Sequence, residues 1–371
     1  MYIYQRRAWP HFQWDQNALI TLLASVRHKQ GKLIGQMTGL GFSLRSEAML
    51  QTMTLEVLKS NEIEGEFLNP DQVRSSIARR LGIDTFGLVP ADRNVEGVVD
   101  MLVDATQSFD YPLTKTRLFD WHAALFPTGR SGMHKITVAD WRTNDAGPMQ
   151  VVSGAIGREQ VHFQAPDADT LETEVQSFLD WFNSEINLDP VIKAAIAHLW
   201  FVTIHPFDDG NGRIGRTIAD MQLARADGSA QRFYSMSAQI RKERNAYYAI
   251  LEKTQKGDLN ITEWLDWFLG CLDRAVGATQ EILAGVLQKA HYWEWFATKQ
   301  ISDRQRLMLN KQLDGFEGKL NTSKWAKIAK CSQDTALRDI QQLIEQGVLI
   351  KDDSGGRSTS YRLAALPADT S

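Results

Sequence analysis

Only two cysteines, Cys271 and Cys331, occur in 371 residues. They stand far apart with no second pair, which excludes a disulfide scaffold and a cysteine-based zinc site. No stretch of about 18 apolar residues is present, so no membrane-spanning helix is expected. The opening MYIYQRRAWPHFQWDQ lacks the apolar run of a signal peptide. Net charge is also missing. Forty-one Lys and Arg against 45 Asp and Glu leave −4, which removes any global electrostatic case for a nucleic-acid coat or a polybasic membrane binder. Any such partner must meet a local patch. Internal repeats and low-complexity segments are absent, and these absences together are expected of a soluble cytoplasmic protein with no membrane partner. What is present is 43% hydrophobic and 23% charged. In a chain of this length that predicts two or three packed units with a sizeable core.

Helical periodicity predicts a mainly α protein. It runs over 17–37, 46–63, 72–81 after Asn69-Pro70-Asp71, 94–109, 115–125, 170–183 and 190–203. Between Trp141 and Ala165, the alternating runs 149–153 and 160–163 flank a Gly-rich stretch, which predicts one β-hairpin leaning on the helices. The Trp-rich run at 264–268 has helical spacing and is expected to fill the core. Near the C-terminus, a helix over 322–329, a short turn, a helix over 333–346 stopped by Gly347, and two short strands around an Asp/Ser/Gly turn give the order of a winged helix-turn-helix. A junction is expected around 313–321. The expected organisation is an N-terminal helical region over 1–92, a catalytic domain over 93–287, and a linker helix with the winged unit over 288–371.

The segment from Ile204 to Arg216 concentrates the chemistry. Gly210, Asn211 and Gly212 allow a tight turn whose backbone N–H groups converge at the start of a helix over 213–224, an anion site. Arg213 and Arg216, three apart, share one side of that helix, and guanidinium forks suit di- and triphosphate oxygens. Asp209 is a candidate magnesium ligand. His205, at the end of the preceding helix, has a side chain suited to take a proton from a hydroxyl. The set describes transfer of a phosphate-containing group to an alcohol. His198, two helical turns before His205, has no third ligand in spacing and is expected to be packed rather than metal-bound.

These residues fit H-x-F-x-[DE]-G-N-G-R-x-x-R at each constrained position, and the chain resembles the Fic family. That resemblance implies a helical core with a β-hairpin flap and transfer of AMP from ATP to a hydroxyl on a protein. It also implies His205 as general base, Phe207 as a buried anchor, Asp209 as magnesium ligand, Gly210 in the turn, Asn211 and Gly212 at the phosphates, Arg213 at the polyphosphate and Arg216 at the γ-phosphate. Val151, Val152 and Ser153 become candidates for pinning a target segment by strand addition. Tyr247 and Tyr248 fall in the stretch resembling a nucleotide-pocket lining, and could equally be core aromatics. Ser60-Asn61-Glu62-Ile63-Glu64-Gly65 is similar to the [ST]-x-x-x-E-[GN] motif of Fic proteins with a built-in inhibitory helix, which implies that Glu64 occupies Arg216.

The function expected is protein adenylyl transfer to a Ser, Thr or Tyr hydroxyl, with ATP as co-substrate and Mg²⁺, restrained by Glu64. Another transferred group, such as a different nucleotide, phosphate or phosphocholine, or removal of AMP, stays open, as does a homodimer. The alternative from another class is a DNA-binding regulator whose Fic unit senses nucleotide. Its support is the C-terminal unit, where cations such as Lys324, Arg338 and Arg357 slightly outnumber carboxylates such as Asp339 and Asp353. Winged helices also make protein contacts, so either partner fits.

Overall fold

Residues with helical periodicity form helices throughout the computed structural model, which describes residues 1–83, 87–145, 147–154, 158, 160–316, 318–352 and 359–366. In chain order these are α1 Gln16–Thr38, α2 Phe42–Ile63, α3 Pro70–Arg80, α4 Arg93–Gln107, α5 Lys115–Leu125, α6 Leu171–Asn183, α7 Pro190–Ile204 and α8 Asn211–Asp227. They continue with α9 Met236–Lys242, α10 Arg244–Gln255, α11 Thr262–Phe296, α12 Asp303–Leu313, α13 Thr322–Ile328 and α14 Gln333–Glu345. Three antiparallel pairs interrupt them: β1 Arg130–Ser131 with β2 His134–Lys135, β3 Gln150–Ser153 with β4 Gln160–Gln164, and β5 Leu349–Lys351 with β6 Tyr361–Leu363. Polar side chains set many starts. Asp15, Asn69, Asp92, Thr114 and Asp189 each accept a hydrogen bond from a first-turn amide of the helix they precede.

The chain divides into two units. One comprises Met1–Ile83 and Val89–Ile282, the other Leu283–Ser371 with Asp84–Leu88. Residues 1–83 lie in the same unit as α4–α10, and residues 313–321 lie inside the second unit. At the centre of the first unit is α7, buried from Val191 to Ile204. Packed on it is α8, itself buried from Arg213 to Ala224. Close approach of the two requires Gly215, because a Cβ there would lie 2.7 Å from Val202 Cγ1. Trp264, Leu265 and Phe268 are buried, and the Trp264 indole donates to the Ala195 carbonyl at 2.9 Å.

Three helix starts precede the periodicity by two or more residues, among them α3 at Pro70 rather than Gln72. α2 begins at Phe42 rather than Ser46, because its first-turn apolar residue, Phe42, faces outward and adds nothing to the buried stripe. α8 begins at Asn211, two residues before Arg213, because the Asn211 side chain closes the turn itself, as described below. The small β1–β2 pair had no sequence signal.

The second unit packs α12, α13, α14 and the β5–β6 pair around Trp325, Ile340, Leu343, Val348, Leu349, Met308 and Leu309. Its order is helix, turn, helix, strand pair. The Asp/Ser/Gly turn between the strands, with Asp353 and Arg357, lies outside the described residues. Asp339 is buried and receives both Nε (2.5 Å) and Nη2 (2.8 Å) of Arg304. Among the described residues no helix is long and apolar enough to cross a membrane, and both cysteines are free.

Candidate active site

The buried α7 delivers the chain to His205, whose backbone is left-handed (φ 52°, ψ 59°), a costly conformation for a residue with a side chain. Neighbouring groups hold it there. Its N–H donates to the Phe201 carbonyl at 3.0 Å, and its own carbonyl accepts from Arg142 Nε at 2.8 Å. Arg142 also donates through Nη2 to the Pro166 carbonyl (2.6 Å) and through its backbone N–H to Pro206 (3.0 Å). Imidazole Nδ1 faces the Val202 carbonyl at 3.2 Å. A carbonyl can only accept, so Nδ1 carries the proton and the lone pair sits on Nε2. Burial pushes the His205 pKa down to about 4. The ring is thus a neutral proton acceptor at neutral pH.

Beyond Pro206 the turn is fixed from beneath. Phe207 is fully buried and stacks on His122 at 4.1 Å between ring centres, with Trp141 at 5.2 Å. The Asn211 carboxamide spans the turn, accepting from the Phe207 N–H (3.0 Å) and donating to the Phe207 carbonyl (2.8 Å). Its side chain is therefore spent on loop shape, and a ligand would meet its backbone N–H instead. Gly210 adopts φ +82°, and a Cβ there would lie 2.9 Å from the Phe126 ring. The first intrahelical bond runs from Ile214 N–H to the Gly210 carbonyl, so the amides of Asn211, Gly212 and Arg213 precede the ladder at the positive end of the helix.

Arg216 is clamped from α2. Its Nε donates to Ser60 Oγ (3.0 Å), Nη2 to the Ser60 carbonyl (2.8 Å) and Nη1 to Glu64 Oε1 (2.8 Å). Burial opposes its charge, but the Glu64 carboxylate outweighs that and raises its pKa. The pair is asymmetric. Arg216's side chain is 2% exposed and Glu64's 31%. Gly212 makes room for the glutamate, since a Cβ there would lie 2.3 Å from Glu64 Oε1. The end of α2 is tied down by Arg244 Nε, which donates to the Ile63 carbonyl at 2.7 Å. Arg213, likewise buried, donates through Nη1 to Glu66 Oε2 at 2.6 Å and lies over the Phe126 ring at 5.0 Å.

Asp209 accepts from the Gly210 N–H at 2.5 Å through one oxygen and from the Ser131 hydroxyl through the other. Its carbonyl lies 3.2 Å from His122 Nε2. Asp208 is committed to the Thr137 N–H at 2.8 Å. Among the described residues no group of three His, Cys, Asp or Glu forms a metal cage. A lone carboxylate beside a phosphate-binding turn is nevertheless a donor set that fits Mg²⁺, which commonly uses one or two carboxylates together with phosphate oxygens.

The expected hairpin is the β3–β4 pair, with a bulge between Val151 and Val152. Two adjacent residues of β4 fasten it. Phe163 is buried edge-on to Tyr2 (5.1 Å) and Tyr4 (6.1 Å) of the N-terminal segment. His162 bridges Ser153 Oγ (2.6 Å) and Glu252 Oε2 (2.7 Å) of α10. Val152 and Ser153 are exposed and Val151 half-buried. The two tyrosines separate. Tyr247 is buried, its hydroxyl 2.9 Å from His198 Nε2, whereas the half-buried Tyr248 donates to Glu64 Oε2 at 3.2 Å. Only Tyr248 therefore reaches the Glu64 carboxylate. His198 is a packed residue stacked on Trp264.

The structure thus brings His205, Asp209, Gly210, Asn211, Gly212, Arg213, Arg216, Glu64 and Tyr248 around one turn. It adds Arg142, Ser131, His122 and Glu66, which sequence reasoning passed over. The first three carry no local motif. Glu66 could have been found, because it follows Glu64 at nearly the spacing that separates the two arginines.

Residues 112–223 match the Fic/DOC family, and residues 2–83 match a domain of unknown function, DUF4172. The chain is 26% identical over 214 residues to the protein adenylyltransferase fic-1 of Caenorhabditis elegans, covering 57% of this chain and 38% of that protein. It is 36% identical over 114 residues to the protein adenylyltransferase Fic of Drosophila willistoni, covering 29% and 22%. The chain therefore spans well under half the length of these relatives. Among solved structures it is similar to a Fic family protein from Desulfovibrio desulfuricans (TM-score 0.52, 21% identity, 94% of this chain and 97% of that one). It is also similar to a Fic domain containing signaling protein from Bacteroides thetaiotaomicron (TM-score 0.50, 21% identity, 72% and 97%). At these identities the likeness is one of fold.

Proposed function

We propose that the chain is a protein adenylyltransferase, moving AMP from ATP to a Ser, Thr or Tyr hydroxyl of a protein, with Glu64 restraining the reaction. The observation that carries this reading is His205, with Nδ1 committed to the Val202 carbonyl and Nε2 without a hydrogen-bond partner among the described residues, beside an amide turn backed by two buried arginines. Nε2 takes the proton of the target hydroxyl, the oxygen attacks the α-phosphorus, and the bond from that phosphorus to the pyrophosphate oxygen breaks. The free amides of the turn and the two guanidinium groups hold the polyphosphate and the charge that gathers on it. Asp209, beside Ser131, is the residue that would hold a magnesium ion, which when bound neutralises the phosphate oxygens. Exposed Val152 and Ser153 in β3 offer strand edge to an extended target segment. The Glu64–Arg216 pair supports the restraint, because a guanidinium held by a carboxylate is unavailable to a γ-phosphate. Incubation with α-labelled and γ-labelled ATP in parallel tests the reading. Label retained on protein from the α position alone supports it, and label from the γ position alone replaces it with kinase chemistry.

The second unit, with α13, a turn, α14 and the β5–β6 pair, supports a winged helix-turn-helix. Exposed Lys327, Lys330 and Arg338 give it cations for phosphate contacts. A mobility shift that weakens steeply with salt would make it a DNA reader. No shift at low salt would make it a protein-contact module.

A further inference from the structure

The acidic residue two places after Glu64 repeats its arrangement. Glu66 Oε2 lies 2.6 Å from Arg213 Nη1, and again the arginine side chain is buried (4% exposed) while the carboxylate is half in solvent (47%). Gly65, at φ +85°, turns the backbone between the two glutamates, a conformation that suits glycine. The two arginines are not equally satisfied. Arg216 uses Nε, Nη1 and Nη2 on three acceptor atoms, two of Ser60 and one of Glu64. Arg213 Nε is buried with no hydrogen-bond partner among the described residues, and Glu66 meets its Nη1 with a single oxygen. A guanidinium fork carries five N–H donors, so Arg213 is built for a group richer in oxygen than one carboxylate.

We infer that Glu64-Gly65-Glu66 is an internal mimic of a polyphosphate tail, with Glu66 a second restraint, separately releasable, that competes with phosphate for Arg213. This rests on the reading of the turn as a polyphosphate site. Because Glu66 is the exposed partner and Arg213 the fixed one, release requires only that the glutamate swing into water. Arg213 Nη1, the atom that Glu66 now occupies, is then open to a phosphate oxygen from the position it already holds. The two carboxylates act on different guanidinium groups, so their effects on a ligand spanning both should combine.

The test is calorimetric titration of the full chain with inorganic tripolyphosphate at fixed salt, which reads the site without any transfer reaction. Glu66→Gln should tighten binding about fivefold, the scale of a half-exposed ion pair. The gain should vanish when Arg213→Ala is added, and Glu64→Gly with Glu66→Gln should bind more tightly than either single variant. Glu62→Gln serves as control, since Glu62 pairs with Lys59 at 2.7 Å and removes the same charge without touching either arginine. It should leave affinity unchanged. If Glu64→Gly tightens binding and Glu66→Gln does not, the second restraint is wrong while the polyphosphate site stands. Equal gains in Glu66→Gln and Glu62→Gln would reduce the effect to general charge and overturn the inference. If no variant binds tripolyphosphate, the inference and the reading beneath it fall together.

Discussion

Two of the arginine–carboxylate pairs on α8, a turn apart, are built in opposite ways. At the start of the helix, Arg216 is buried and Glu64 is 31% exposed. At Asp220, four residues on, the partner Arg232 is buried on its side and the aspartate on its own, 4% and 3% exposed, at 2.8 Å. Arg232 also donates to the Asp220 carbonyl (2.8 Å), and Glu56 of α2 is buried beside them, accepting from the Ser235 hydroxyl at 2.6 Å. Burial, then the neighbouring Glu56 charge, pushes Asp220 up to about 8. The difference teaches which contacts can open. A pair with one foot in water can part and rehydrate its carboxylate, whereas a cluster closed on every side must hold or the fold fails. The first is fit for regulation and the second fastens α2 to α8.

The sharpest way to break this comparison is to substitute one residue beside each cluster, His205 before α8 and Arg232 after it, and read both stability and transfer. His205→Ala should lower transfer by about 10²–10⁴-fold, the usual share of a general base, while ATP affinity stays within a few-fold. Labelling that survives would remove His205 from that role. Arg232→Met should do the reverse, costing about 3–5 kcal/mol of folding stability by leaving two carboxylates buried without their cation. Denaturant unfolding that shows a loss below about 1 kcal/mol would contradict the fastening role. Glu64→Gln, by contrast, should cost less than Arg232→Met, because the carboxamide oxygen can still accept from Arg216, which keeps its two bonds to Ser60, and the Glu64 side chain already meets solvent.

The pH dependence of stability sharpens the same contrast more gently. Burial depresses His122 and His205 to about 4 and His198 to about 3. Between those values and the ordinary 6.5, the unfolded chain binds more protons than the folded one, so their stabilisation is lost as pH falls from 6.5 toward 4. Asp220 acts in the opposite sense, because its raised pKa makes the folded state bind more protons and lose stability as pH rises toward 8. The three histidines outweigh the aspartate on the acid side. Melting temperature should therefore peak near about pH 6.5 and fall on acidification. A melting temperature constant from pH 7 to 4.5 would contradict the neutral buried histidines.

The two clusters also differ in how far the sequence revealed them. The anion turn was legible because His205, the glycines and both arginines fall in one short segment, 205–216, and backbone geometry over one turn follows from residue type. Glu64 was legible only through a motif, since nothing local in α2 says which helix it will meet. The Arg232 cluster was invisible, because Glu56, Asp220 and Arg232 each read as ordinary surface charges until tertiary packing buries them together. Arg142 and Ser131 were missed for the same reason: they reach His205 and Asp209 from segments some 60 to 80 residues away. Most helices were legible from apolar spacing, and α2 escaped only in its first turn, where the apolar residue points outward.

The central claim, that Glu64 withholds Arg216 from the reaction, is tested most directly by auto-labelling with α-labelled ATP in wild type, Glu64→Gly and Glu64→Gly with Arg216→Ala. A charged hydrogen bond worth about 1.5–3 kcal/mol predicts a rise of about tenfold to a hundredfold in the single variant. The double variant should lose that gain, because both changes act through the same guanidinium. An unchanged or lower rate in Glu64→Gly would contradict the account, and so would a gain that persists without Arg216.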